Sequence, residues 1–312
     1  MSNTILVTGA AGYLGSILVP KLLDCGHRVI ALDTFNRGDA ALAHVAADKN
    51  FEPIRGDARD EETLKELIAR ADIAIPLAAL VGAPLCKQDP IAAKTTNLDA
   101  ILSLIRLMSR DQRIIYPTTN SGYGVGQKGV LCTEETPLNP LSLYGVTKVE
   151  AEKAILDRGN GITLRLATVF GMAPRMRLDL LVNDFTYRAV TDRAVVIFEG
   201  DAKRNYIHVR DVAKAFIHAI ENYETMNGEP YNAGLSSANL SKLELCARIR
   251  EQVPGFVALT APIGEDPDKR DYIVSNEKLE KTGWFPDHTL DMGIEELIRG
   301  YRMIRNGRYS NI

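Results

Sequence analysis

Short β-branched runs alternate with longer stretches of helical period through the first half of the chain. Strands are predicted over Thr4 to Thr8, Arg28 to Asp33, about Phe51 to Ile54, Asp72 to Leu77, Arg113 to Tyr116 and Ile162 to Leu166. Helices are predicted between them, notably near Gly12 to Asp24, Glu61 to Arg70, Thr95 to Ser109 and Leu143 to Asp157. The strands read as continuous apolar segments, the pattern expected when helices cover both faces of a sheet. Alternation of the two periods implies parallel βαβ units and an α/β fold.

Beyond Thr168 the pattern loosens. A strand, "AVVIF", and helices near Asp211 to Glu221, Ser241 to Gln252 and Asp291 to Arg305 are predicted there. Ser241 with Glu244 has the spacing of a capping box, and Ile294, Leu297, Ile298, Tyr301 and Ile304 give the last helix one apolar face. No repeat, low-complexity stretch or Pro/Gly-rich linker separates the two parts. The expected organisation is a dinucleotide-binding unit over 1–167 and a smaller α+β substrate cap over 168–312, interleaved across one interface.

Composition narrows the partners. A net charge of -3, from 37 basic and 40 acidic side chains, leaves no basic excess to drive binding to nucleic acid phosphates. The most apolar window, "ADIAIPLAALVGAPLC", is broken by Pro76, Gly82 and Pro84, short of the roughly 18 apolar residues of a membrane span. Cys25, Cys86, Cys132 and Cys246 are too scattered for a metal pair or a disulfide framework, so a reduced, cytoplasmic setting is expected.

The chemistry begins at "ILVTGAAGYLGS", which places Gly9, Gly12 and Gly15 after the first strand and at the mouth of a helix. Glycines there permit the tight turn, the close approach of backbone to a pyrophosphate and the packing of helix on strand, with the phosphates at the positive helix end. The spacing is TGxxGxxG. It predicts a Rossmann-type doubly wound sheet binding a dinucleotide through Gly9, Ala11, Gly12, Tyr13 and Leu14. About 20 residues on, Asp33 ends the second strand, where it can accept hydrogen bonds from both adenosine ribose hydroxyls and repel a 2'-phosphate. NAD is therefore favoured, although Arg37 leaves NADP open. Asp57, with Ala58, follows the third strand and can reach the adenine edge, while Asp60 suits the N-cap of the next helix.

"YGVTK" sets Tyr144 and Lys148 four residues apart on one helical face. A tyrosine is a poor base at neutral pH, but a neighbouring ammonium and a positive nicotinamide ring would stabilise its phenolate. A three-unit shift needs roughly 4 kcal/mol, within the range of active sites. By itself the pair is as consistent with a helix surface. It gains meaning from the hydroxyl cluster "TTNSGYG", Thr118 to Gly124, and from the glycine loop.

Together these residues resemble the extended short-chain dehydrogenase/reductase family, in particular its nucleotide-sugar epimerases and dehydratases. "NYIHVRDVAKAF" and "DKRDYIVSNEKLEKTGW" extend the resemblance over nearly the whole chain. It implies a catalytic unit of Thr119, Tyr144 and Lys148, with Thr118 the alternative for the hydroxyl. Tyr144 would be the base, Thr119 would hydrogen-bond the reacting oxygen, and Lys148 would tune Tyr144 and hold the nicotinamide ribose. Leu77, Ala78 and Ala79, in "IPLAALVG", stand where the family carries a His-x-Ala-Ala segment near the cofactor, here without the histidine. Thr168 stands where an Asn is common.

The resemblance also implies a nucleotide-diphosphate sugar as substrate, bound by Arg204 and Arg270, with Arg175 (beside Arg177), Asn183, Thr118 and Asn120 as further candidates. For each arginine a solvated surface charge is the alternative. His208 is expected to pack at the domain interface. Dehydratases of the family carry an Asp-Glu pair directly after the catalytic threonine. Here Asn120 and Ser121 occupy those positions, and neither titrates near pH 7. Dehydration is disfavoured, an epimerase acting through oxidation at sugar C4 is the leading reading, and a 4-dehydrogenase or ketoreductase is the alternative. A non-catalytic NAD-binding protein on the same fold is a third reading. A homodimer through the helices at Thr95 to Ser109 and Leu143 to Asp157 is expected by the same resemblance.

Overall fold

The computed structural model of the chain describes residues 2–36, 40–261 and 270–304. Its frame is a parallel sheet of seven strands: β1 (Thr4–Thr8), β2 (Arg28–Asp33), β3 (Phe51–Arg55), β4 (Ile73–Pro76), β5 (Arg113–Thr119), then, past the two-residue β6 (Leu131–Cys132), β7 (Gly161–Leu166) and, past β8 (Thr168–Phe170), β9 (Ala194–Ile197) and β10 (Lys203–His208), β11 (Pro230–Ala233). The order is β11-β7-β5-β4-β1-β2-β3. The chain runs outward from β1 to β3 and returns to β4 on the other side of β1, so the strand order reverses between β1 and β4. A crevice opens outside the carboxyl ends of strands at such a reversal.

Two layers of helices cover the sheet. Ile5 and Val7 face one side, where they join Leu18, Val19 and Leu22 of α1 (Gly15–Asp24). Leu6 faces the other, joining Leu64, Leu67 and Ile68 of α2 (Glu61–Ile68). All three strand residues are fully buried, which is why β1 reads as an unbroken apolar run. The second layer continues, past the short α3 (Ala83–Gln88) and α4 (Pro90–Lys94), with α5 (Ala100–Leu107) and α6 (Leu143–Arg158). The helix expected from Thr95 starts as a single π turn, Thr95–Asp99, and is α-helical only from Ala100.

The remaining elements are α7 (Leu181–Thr191), α8 (Val209–Glu221), α9 (Tyr223–Met226), β12 (Asn239–Ser241), α10 (Lys242–Gln252), β13 (Val257–Thr260), β14 (Ile273–Val274), α11 (Glu277–Glu280) and α12 (Leu290–Gly300). The three strands β12-β10-β8 form a small sheet, and α7, α10 and α12 share a second apolar core with it. The predicted capping box at Ser241 and Glu244 is present. β11 and α8 belong to the large unit, although they follow the small sheet's first strands in sequence. No helix among the described residues is long and apolar enough to cross a membrane.

His208, His288 and Asp211 converge, their polar atoms within 4.8 Å of one another. His208 is fully buried and takes Glu296 at 2.6 Å, while His288 takes Asp211 at 2.9 Å. The two imidazoles stack at 4.2 Å with planes 14° apart. Lone pairs lie in the ring planes, and two stacked parallel planes do not meet at one metal position. The cluster is a structural clasp tying β10 and α8 to α12, in keeping with the packing role expected of His208.

Candidate active site

A cavity of about 1040 Å³ lies along the carboxyl edge of the large sheet. It is at the top of the usual range of roughly 300–1,000 Å³ for ligand sites, large enough for a dinucleotide and a second molecule together. Six of the seven strand ends contribute: Gly9 after β1, Asp33 of β2, Asp57 and Ala58 after β3, Leu77, Ala78 and Ala79 after β4, Thr118 and Thr119 of β5, and Leu166 of β7.

Gly9 has φ +66, a region that favours glycine, and a Cβ there would lie 2.6 Å from Ala78 N. The loop therefore presses directly on the chain leaving β4. Ala11, Gly12, Tyr13 and Leu14 line the cavity beside it. The Tyr13 side chain turns away, its hydroxyl donating to Gly171 O at 2.6 Å, so the residue meets the cavity while anchoring the loop to the small unit. Asp33 accepts the Ala11 N–H at 2.9 Å and the Phe35 N–H at 2.8 Å, holding the carboxylate at the glycine loop. Arg37 lies outside the described residues. Asp57 accepts from Arg59, whose charge and hydrogen bonds hold the carboxyl below its usual range. Asp60 caps α2 as expected.

Tyr144 and Lys148 lie in the first two turns of α6, which Ser142 N-caps by accepting from Gly145 N at 3.2 Å. β5 runs to Thr119, three residues past the predicted end, because Thr118 and Thr119 pair with Arg165 and Leu166 of β7. The catalytic candidate is thus the last residue of a strand, followed by a single 3₁₀ turn, Asn120–Tyr123. A strand end supports a side chain more rigidly than a free polar loop would. Thr119 Oγ1 lies 2.8 Å from Ser121 Oγ, and Thr119, Ser121 and Tyr144 all line the cavity.

Burial pushes the Tyr144 hydroxyl up from its ordinary value; Arg177, Arg270 and the Thr119 side chain oppose that, and Cys86 adds to it. Lys148 is buried, its Nζ 3.8 Å from the centroid of the Tyr116 ring. Desolvation brings its ammonium down to about 7, against a smaller opposing effect of Glu152. In the unfolded chain this lysine binds its proton up to about 10.4. Between pH 7 and that value the unfolded state holds the extra proton, so this group's contribution to stability improves as pH rises and its burial penalty is fully present below pH 7. Lys148→Met is accordingly expected to stabilise the ligand-free protein by about 2 kcal/mol at pH 6.5 and by much less at pH 10, as urea midpoints at the two pH values will read.

Arg175, Arg177, Arg204 and Arg270 all line the cavity, so sequence-distant cations meet in one chamber. Arg177 pairs with Asp179, Arg204 lies over the Tyr272 ring, and Arg270 donates to Ser121 Oγ.

Two candidates do not reach the chamber. Asn183 is fully buried on α7 and outside the lining; its amide accepts from Gly171 N at 3.0 Å and donates to Arg177 O at 2.9 Å and to the Tyr13 hydroxyl at 3.3 Å. It braces the glycine loop against the small unit and has no donor left for a ligand. Asn120 is also fully buried and outside the lining, because the 3₁₀ turn directs Ser121 to the cavity in its place. Arg59, Ser142, Lys242 and Tyr272 line the cavity without having been singled out by the sequence. Ser142, two residues before Tyr144, carried the one available signal, an N-cap serine at a helix start.

Residues 5–234 match the description of the NAD dependent epimerase/dehydratase family. The chain belongs to that family. Curated relatives include UDP-glucuronic acid decarboxylase 1 of Arabidopsis thaliana, 28% identical over 96% of this chain and 69% of its own, and UDP-glucose 4-epimerase of Corynebacterium glutamicum, 28% identical over 91% of each. Among solved structures, the NAD complex of Thermus thermophilus UDP-glucose 4-epimerase superposes with a TM-score of 0.82 at 25% identity, covering 96% of this chain and 99% of the other. UDP-glucuronic acid 4-epimerase of Bacillus cereus gives 0.84 at 24% identity over 96% and 99%, a likeness of fold.

The family is one of NAD-dependent enzymes of the short-chain dehydrogenase/reductase type, and NAD is the cofactor of this chain. The residues present fit it. The side-chain-free surface at Gly9 and Gly12 leaves room at the positive end of α1, and Asp33 stands at the next strand end with its carboxylate pre-oriented.

Proposed function

We propose that the protein is a nucleotide-sugar epimerase that acts through transient oxidation at sugar C4. The observation that supports this most directly is the meeting of Thr119, Tyr144 and Lys148 with Arg175, Arg204 and Arg270 in one chamber, with no carboxylate between Thr118 and Gly124. Bound NAD supplies the hydride acceptor and returns the hydride. Tyr144 takes the proton of the reacting hydroxyl, Thr119 hydrogen-bonds the same oxygen, and Lys148 holds the nicotinamide ribose. The arginines meet the diphosphate, for which a planar fork of donors is suited. Asn120 and Ser121 supply neither the acid nor the base that elimination of water requires.

In this reading residues 1–167 bind the cofactor and 168–312 mainly the sugar nucleotide. The working unit is a cytoplasmic homodimer through α5 and α6, a surface on which Leu102 is exposed and next to which Ile91 is 78% exposed; a monomeric mass by light scattering would refute that. The relatives named as UDP-glucose 4-epimerases support the reaction class.

The test is incubation of the protein with UDP, GDP, dTDP and CDP sugars, following the NADH absorbance band and the sugar configuration by NMR. Altered stereochemistry with the cofactor retained is the expected result. Net NADH release would make the protein a 4-dehydrogenase instead, and loss of water would restore the dehydratase reading.

A further inference from the structure

Tyr116 lies against Lys148, and the reading above gives it no task. Its ring is buried within β5, and Lys148 Nζ sits over the ring face at 3.8 Å from the centroid, inside the roughly 6 Å at which a cation and an aromatic face attract. Lys148 is itself buried and lines the chamber with Tyr144. A buried ammonium ordinarily needs a carboxylate. Glu152, one helical turn beyond, has both carboxylate oxygens held by Arg165 at 2.6 to 3.2 Å, and no ion pair joins it to Lys148 among the described residues. Cys86 is no anion at neutral pH either, because burial pushes its thiol up to about 11.

The Tyr116 hydroxyl has no hydrogen-bond partner among the described residues, and burial pushes its ionisation well above the ordinary value. The side chain is therefore neutral and its oxygen anchors nothing. A phenylalanine would fill the same place at less cost. What Tyr116 offers is its ring face, whose quadrupole attracts an ammonium without carrying net charge. A carboxylate in that place would cancel the field of Lys148 at Tyr144 and would take up its N–H donors. The ring leaves the positive charge intact and leaves donors for the ribose hydroxyls.

We infer that Tyr116 is a positioning residue for Lys148, the face of its ring holding the ammonium in the chamber where no carboxylate does. The inference rests on the role proposed above for Lys148. The titratable and charged groups around Lys148 are Tyr144 and Glu152 of α6, Cys86 of α3, Tyr116 of β5 and, behind Glu152, Arg165 of β7. Substitution at Tyr116 leaves the others in place.

The test uses the full chain without ligand, labelled at lysine Cε with ¹³C. A Lys148→Met spectrum identifies the Lys148 resonance, and its pH titration is followed by NMR. Tyr116→Leu is expected to lower the Lys148 titration by about one pH unit, the size of a desolvated cation–ring attraction. Tyr116→Phe should titrate as the native protein does. A trifluorinated phenylalanine at the same position keeps the ring but withdraws electron density from its face, and should shift the titration in the direction of Tyr116→Leu. That comparison with Tyr116→Phe stands even where the leucine variant does not fold. With NAD and the best sugar of the panel, kcat at neutral pH should fall severalfold in Tyr116→Leu, with the sugar KM unchanged and Tyr116→Phe at the native rate. Equal titrations for phenylalanine and its trifluorinated form overturn the inference, as does an unchanged titration in Tyr116→Leu. Failure of the epimerase reading would appear separately, as full turnover by Tyr144→Phe, since the titrations use no substrate.

Discussion

Tyr144→Phe is expected to lower kcat by about 10³-fold, the middle of the range for loss of a general acid–base group, while the substrate KM changes by no more than a few fold. The phenyl ring keeps the packing of α6 against the cavity wall and removes only the hydroxyl. NAD should still bind, since the glycine loop and Asp33 are untouched, and calorimetry with NAD separates a catalytic loss from a binding loss. The measurement is single-turnover absorbance at the NADH band on the best sugar of the panel. Wild-type hydride transfer by this variant would end the catalytic reading. No turnover by the native protein with any nucleotide sugar, together with tight NAD binding, would favour a binding protein instead.

The largest effect on stability is expected at Arg165. Its guanidinium, on β7, donates to the Glu152 carboxylate of α6 at 2.6 and 3.0 Å, and also to the Tyr123 hydroxyl at 3.1 Å and to Glu134 O at 3.0 Å. Both side chains are almost wholly buried, at 6% and 3% exposure. Arg165→Met leaves the Glu152 carboxylate desolvated and alone, and the loss should be about 3–5 kcal/mol in urea unfolding. The double variant Glu152→Met with Arg165→Met should recover most of it, because no charge then remains to be buried. A loss below about 1 kcal/mol in the single variant would show that water or a rearranged side chain solvates Glu152. The pair also bears on function. Glu152 lies one helical turn beyond Lys148, and the Tyr123 hydroxyl, which donates to Asn232 at 2.7 Å, ties the end of the 3₁₀ turn to β11.

The three-dimensional arrangement explains why some of this was visible in the sequence and some was not. β1 and β2 run over the predicted residues to the last position, because a strand buried on both faces must be apolar throughout and the glycines that end it are equally distinctive. β11, "PYNA", was not predicted: four residues with a polar asparagine carry no period, and its partner β7 lies more than 60 residues earlier. β5 outran its prediction for a related reason. Polar Thr118 and Thr119 look like a turn until β7 supplies their hydrogen-bond partners.

The site divides in the same way. Gly9, Gly12, Asp33, Tyr144 and Lys148 were legible because their spacing along the chain is the spacing of backbone turns and helical faces, properties that local sequence sets. Asn120 and Asn183 were misplaced because the direction of a side chain from a 3₁₀ turn or a packed helix depends on what closes over it. Lys148 was expected to act on Tyr144 through its charge. The fold buries it against Tyr116 and brings it down to about 7, and Arg177 and Arg270, remote in sequence, oppose the rise at Tyr144. The sequence by itself determined the doubly wound class, the cofactor loop and the reactive residue types, since these follow from periods and spacings of a few residues. Only the tertiary structure decided which polar groups share the chamber and how far each is desolvated, because charge and desolvation act through space between segments that the chain order keeps apart.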